Sequence, residues 1–107
     1  MKIPYSSWEL RVALMNLSED KFNKEKAEEM KDEFAFLPKR KKDLNISVAE
    51  HHGISVEKLV DSPNYKILCR EYEENIIYKF VKKLEEKFGI TEKEAWAITA
   101  YSLGLLG

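Results

Sequence analysis

The sequence predicts an all-α fold, a compact bundle of five or six helices forming a single domain over residues 1–107. Three observations carry that expectation. Apolar residues recur at three- and four-residue steps in every long segment, and no stretch alternates apolar with polar residues for long enough to make a strand. Serine or threonine followed three positions later by glutamate occurs at Ser6/Glu9, Ser47/Glu50 and Thr91/Glu94. In that capping-box spacing, each side chain satisfies an orphan amide of a helix's first turn. Finally, only four Gly and three Pro leave little material for hairpins or linkers.

Taken in order, Ser6 opens a helix to about Leu17, with Leu10, Leu14 and Leu17 on one side and Trp8, Val12 and Met15 beside them. Two apolar rows so close together predict a helix covered on much of its circumference. A second helix is expected from Asn23 or earlier to Phe36, burying Ala27, Met30, Phe34 and Leu37 and exposing Lys24, Glu25, Glu28, Lys31 and Asp32. Pro38 stops it, because the residue before a proline is pushed out of helical geometry. The tetrad Lys39-Arg40-Lys41-Lys42 with Asp43 then reads as a connector.

Ser47 starts a short helix ending near Gly53, and Ser55 caps the next, to about Asp61. Ser62-Pro63 combines a capping hydroxyl with proline at a first helical position, so a long helix is predicted over 63–88. Its apolar stripe is Tyr65, Leu68, Cys69, Tyr72, Ile76, Phe80, Leu84 and Phe88, widened by Ile67, Ile77 and Val81. Gly89 suits the left-handed position that ends a helix. Thr91 opens a last helix to about Leu103 that is apolar or weakly polar all round after Glu94. Such a helix is the centre of a bundle or, failing that, an association surface. The stretches 48–55 and 84–91 share an apolar residue, a Glu and then Gly-Ile-Ser/Thr, which reads as two similar corners.

Apolar residues make up 44% of the chain and charged residues 35%, a globular balance. The longest uncharged run, Ala95 to Gly107, is short of the roughly 20 residues of a membrane-spanning helix. Glu9 and Arg11 interrupt any leader-like apolar core near the start. One Cys excludes an internal disulfide and suits a reducing, cytoplasmic setting. The net charge of −1 is unevenly placed, with residues 18–37 at −3 and 38–44 at +3.

Catalysis finds little support in the residue set. His51 and His52 are the only histidines, and neighbours on a helix diverge by about 100°, so they do not share a metal ion. Cys69 sits on an apolar stripe, where a free Cys behaves as a small hydrophobe. Glu71, Glu73 and Glu74 read as a solvated helix face, and there is no glycine-rich phosphate loop and no HExxH. No enzyme, cofactor or metal is expected.

Residues 46–63 resemble the helix-turn-helix superfamily. Ala49 stands as the small residue of the first helix, Gly53 at the turn, and Val48, Ile54 and Leu59 at positions such motifs make apolar. His52 departs from an apolar position, and Ser62-Pro63 cuts the second helix short. The resemblance implies a second helix that enters the DNA major groove. On its early face, however, this chain carries Ser55, Glu57, Val60 and Asp61, and carboxylates are repelled by a phosphate backbone charged every ~1.7 Å. Lys39, Arg40, Lys41 and Lys42, with Lys58, are the groups by which a helix-turn-helix regulator would hold nucleic acid.

The preferred expectation is a non-enzymatic protein-binding module: an adaptor, inhibitor or assembly component that works by occupying a surface. Two Trp, five Tyr and five Phe exceed what so small a core must hide, and surface aromatics bury much area with few rotors. Tyr5 and Trp8 at one end and Trp96 and Tyr101 at the other are candidates. Trp96, Tyr101, Leu105 and Leu106 are the predicted anchors, and Glu25, Glu28, Glu29, Asp32 and Glu33 would steer a basic partner. Association of copies through the apolar last helix is the third option.

Overall fold

The computed structural model describes residues 3–35, 37 and 40–106. They form seven helices and no strand: α1 (Ser7–Met15), α2 (Lys24–Glu29), α3 (Lys31–Ala35), α4 (Lys41–His52), α5 (Val56–Asp61), α6 (Tyr65–Phe88) and α7 (Glu92–Ser102). The all-α expectation therefore holds, with a larger number of helices than expected. The shape is also less compact than a simple bundle. Its extents are 46 × 27 × 22 Å and its radius of gyration is 15.1 Å, against about 13 Å for a compact chain of this size.

The elongation comes from α6. Twenty-four residues at about 1.5 Å rise reach about 36 Å, and the helix serves two separate apolar clusters along that length. The larger cluster gathers Leu10 of α1, Met30, Leu37, the Ile77–Leu84 stretch of α6, most of α7 and Leu106. The smaller holds Val48 and Ala49 of α4, Leu59 of α5 and Cys69 of α6. The predicted α6 stripe is thus divided and shifted. Ile77 and Val81 are fully buried, whereas Ile67 is left exposed.

Helix α7 is the centre of the larger lobe, with α1 and α6 packed on it. All six residues from Ala95 to Ala100 are buried. Its capping box is complete: the Glu94 amide donates to Thr91 Oγ1 at 3.1 Å and the Thr91 amide to Glu94 Oε1 at 2.9 Å. At the other end Gly104 takes φ 75°, and the Leu105 amide donates to the Ala100 carbonyl at 2.9 Å. This left-handed ending turns the chain back and lays Leu106 on the core.

Two predicted boundaries are corrected. The expected helix 23–36 is broken at Met30, whose amide is shared between the Lys26 and Ala27 carbonyls, each at 3.2 Å. That tighter turn leaves Met30 with no exposed surface. Asn23 does cap its start, accepting from the Lys26 amide at 3.0 Å; Phe36 and Pro38, the expected end, lie outside the described residues. The expected connector is helical in part. Lys41, Lys42 and Asp43 form the first turn of α4, and Ser47 sits inside the helix rather than at its start. Asp43 favours that turn through the positive end of the helix dipole, and Leu44 and Val48, one turn apart, both join the smaller cluster.

The α4–α5 corner forms as the spacing predicts. Gly53 takes φ 65°, the Ile54 amide donates to the Ala49 carbonyl at 3.0 Å, and Ser55 Oγ accepts from the Lys58 amide at 3.2 Å. Val48, Ala49 and Leu59 are buried beneath it.

Candidate interaction surface

Helix α1 buries only Leu10, so it is an edge element rather than one covered on most sides. Leu14 and Val12 are half-buried, and Trp8 and Met15 point away from the core, 74% and 83% exposed. Seven residues apart on a 3.6-residue helix, these two lie on one side, with Arg11 between them. Arg11 is engaged: its Nη2 donates to the Leu106 carbonyl at 2.9 Å. That bond ties the C-terminal turn alongside α1, and the turn leaves Leu105 half exposed at 50%. Tyr101, on the open side of α7, is 66% exposed. Trp8, Met15, Tyr101 and Leu105 are thus the exposed large apolar side chains of α1, α7 and the C-terminal turn, and the Arg11 bond holds that turn to α1.

The predicted anchors divide. Tyr101 and Leu105 are on the surface; Trp96 and Leu106 are in the core, 6% and 8% exposed. The reason is packing on both sides of α7, which encloses Trp96, and the reversal at Gly104, which sends Leu106 inward and Leu105 outward. Trp96 Nε1 has no acceptor among the described residues. The sequence signal for the α1 face is the spacing of Trp8, Arg11 and Met15, although Trp8 and Met15 both read there as part of an apolar row.

The acidic group is dispersed. Glu25, Glu28, Glu29 and Asp32 are exposed on α2 and α3. Glu28 is 3.6 Å from Lys31, and Glu33 accepts from Lys83 Nζ on α6 at 3.2 Å. The Lys83 hydrogen bond holds the Glu33 carboxyl below the usual carboxylate range. Glu33 thus serves the join between α3 and α6, which also includes the edge-to-face pair Phe34–Phe80 at 5.4 Å.

Of the basic group, Arg40, Lys41 and Lys42 are exposed at the start of α4, and Lys58 is exposed on α5. Lys39 lies outside the described residues. Glu57 and Asp61 are exposed on α5, the helix that the superfamily resemblance would place in a groove. Burial pushes the Cys69 thiol up and keeps it protonated, so it is a poor nucleophile. Among the described residues no three His, Cys, Asp or Glu side chains converge as metal ligands, and no helix is long and apolar enough to cross a membrane. Comparison with protein-family models, with curated proteins and with solved structures finds no match in any of the three.

Proposed function

We propose that the protein is a non-enzymatic protein-binding module that works by surface occupancy, with the α1 face and the C-terminal turn as its docking surface. The exposure of Trp8 and Met15 on one side of α1 carries this reading. Tryptophan is among the residue types most enriched in interface anchors, and methionine adapts to an irregular partner surface. Tyr101 and Leu105 remain in the anchor set, and Trp8 and Met15 take the place of the buried Trp96 and Leu106. The exposed carboxylates Glu25, Glu28, Glu29 and Asp32 belong to the same lobe and favour a partner with basic residues at its margin. The nucleic-acid alternative is weaker because Glu57 and Asp61 stand on the would-be reading helix.

Trp96→Ala is a poor test, since emptying a core tryptophan site costs about 3–5 kcal/mol of stability by itself. The informative variant is Trp8→Ser with Met15→Ser, both at the surface, where substitutions shift stability by about 0.5 kcal/mol or less. Affinity capture from the native cell, with nuclease present, is expected to yield a stoichiometric protein partner. The double variant should weaken that complex by at least about 2 kcal/mol, roughly thirtyfold, at unchanged melting temperature. A complex of undiminished affinity in the variant, or one dissolved by nuclease, would overturn the reading.

A further inference from the structure

In the smaller lobe, away from the α1 face, a cleft of about 540 Å³ opens between the start of α4, the α5–α6 corner and the start of α6. Its volume falls in the range of about 300–1,000 Å³ typical of small-molecule sites. Leu44, Val60 and Tyr65 give it an apolar wall, and Lys41, Lys66 and Arg70 stand around it with a single carboxylate, Glu73.

Among the described residues the lining of this cleft carries more positive than negative charge. Lys31, Lys82 and Lys83 each pair with a carboxylate, but none of the ion pairs among the described residues involves Lys41, Lys66 or Arg70. Lys41, Lys66 and Arg70 against Glu73 leave a local excess of positive charge around one concavity, which attracts an anion. The excess of two positive charges matches a phosphate monoester, which carries about −1.5 to −2 at neutral pH. Arg70 offers a planar fork suited to two phosphate oxygens at once, and the lysines act as point charges.

The wall is prepared for a flat group. The Tyr65 hydroxyl donates to Asn45 Oδ1 at 2.6 Å, which fixes the ring before any ligand arrives; Lys41 Nζ lies over that ring, 5.9 Å from its centroid, and swings off it to meet a phosphate as a flat group stacks. A ring already held in place stacks without losing rotamer freedom on binding. Glu73 accepts hydrogen bonds and so suits the hydroxyls of a sugar between the two ends.

We propose that this cleft binds a small phosphate monoester carrying a flat body, of the nucleoside monophosphate class, with Lys41, Lys66 and Arg70 on the phosphate and Tyr65 beneath the ring. The site is independent of the α1 docking face, so either can fail without the other.

Calorimetric titration of the full chain with adenosine 5′-monophosphate at about 50 mM salt tests it, with adenosine, inorganic phosphate and a short DNA duplex as parallel arms. The monophosphate is expected to bind at least about tenfold more tightly than adenosine or phosphate alone. Lys66→Gln and Arg70→Gln, both exposed and outside the core, should each weaken it about tenfold at unchanged melting temperature, whereas Lys79→Gln should not. Absence of binding at millimolar monophosphate, equal affinity for phosphate alone, or indifference to Lys66→Gln and Arg70→Gln would overturn the proposal. Tighter binding of the duplex, lost in those two variants, would assign the same cations to a polymer and overturn it also.

Discussion

Glu33 and Lys83 form the one ion pair between α3 and α6 among the described residues, beside the Phe34–Phe80 contact. Because the folded carboxyl is held below its unfolded value, the bond stabilises the fold above the unfolded pKa, and that contribution is lost as pH falls through the folded one. Lys82 works in the opposite sense. Its hydrogen bond to the Glu85 carboxylate raises its pKa, so on the Lys82 side the contribution fades only as the solution turns strongly alkaline. Glu33→Gln should therefore melt below the wild type at neutral pH, with the gap closing on acidification. The melting temperatures of the two proteins along a pH series check this; a gap independent of pH would mean that the carboxylate's charge contributes nothing. Single residues also separate buried from exposed anchors. Trp96 and Tyr101 look alike in sequence, and only the packing on both sides of α7 separates a core tryptophan from a surface tyrosine.

At the scale of elements, capping chemistry was legible at most helix ends and tertiary packing was not; Ser47, spaced from Glu50 as a cap would be, lies inside α4. Ser55, Thr91, Gly53 and Gly89 marked their helix ends by local hydrogen bonds or backbone conformation, which act without knowledge of the rest of the fold. The break at Met30 is different, since it follows from drawing one side chain fully into a core assembled by distant segments. The start of α4 was hidden because Lys41, Lys42 and Asp43 carry no apolar signal, and the helix is held from within by Leu44 and Val48. The α4–α5 corner permits a direct test of the local part. Gly53 at φ 65° has open space around the position of a Cβ atom, so Gly53→Ala meets no clash. Its cost should be the backbone penalty of the left-handed region alone, about 1–2 kcal/mol, and Gly53→Asn should cost less. Urea denaturation measures both; a loss well beyond that range would show that the corner is tightly enclosed, contrary to the geometry.

Across the whole molecule, the division into two apolar clusters makes the lobes unequal. Among the described residues, fourteen buried apolar residues stabilise the lobe around α7, and four stabilise the one beneath the α4–α5 corner. Stability follows buried apolar area, so the smaller lobe should open at lower free energy while α7 stays folded. Helix α6 joins the two, and its first turns, with Tyr65 and Cys69, belong to the weaker side. Native-state hydrogen exchange is expected to report slower exchange over 77–84 and 95–100 than over 44–60. Leu59→Ala removes a fully buried side chain and should cost about 2–5 kcal/mol locally. Exchange should then accelerate in α4, in α5 and at the start of α6, with α7 unaffected. Uniform acceleration over every helix would mean that α6 transmits cooperativity from end to end and that the two clusters fold as one. In the unequal case, the cleft lined by Lys41, Lys66 and Arg70 lies in the lobe that opens first, and a ligand bound there should slow exchange over 44–60 by mass action.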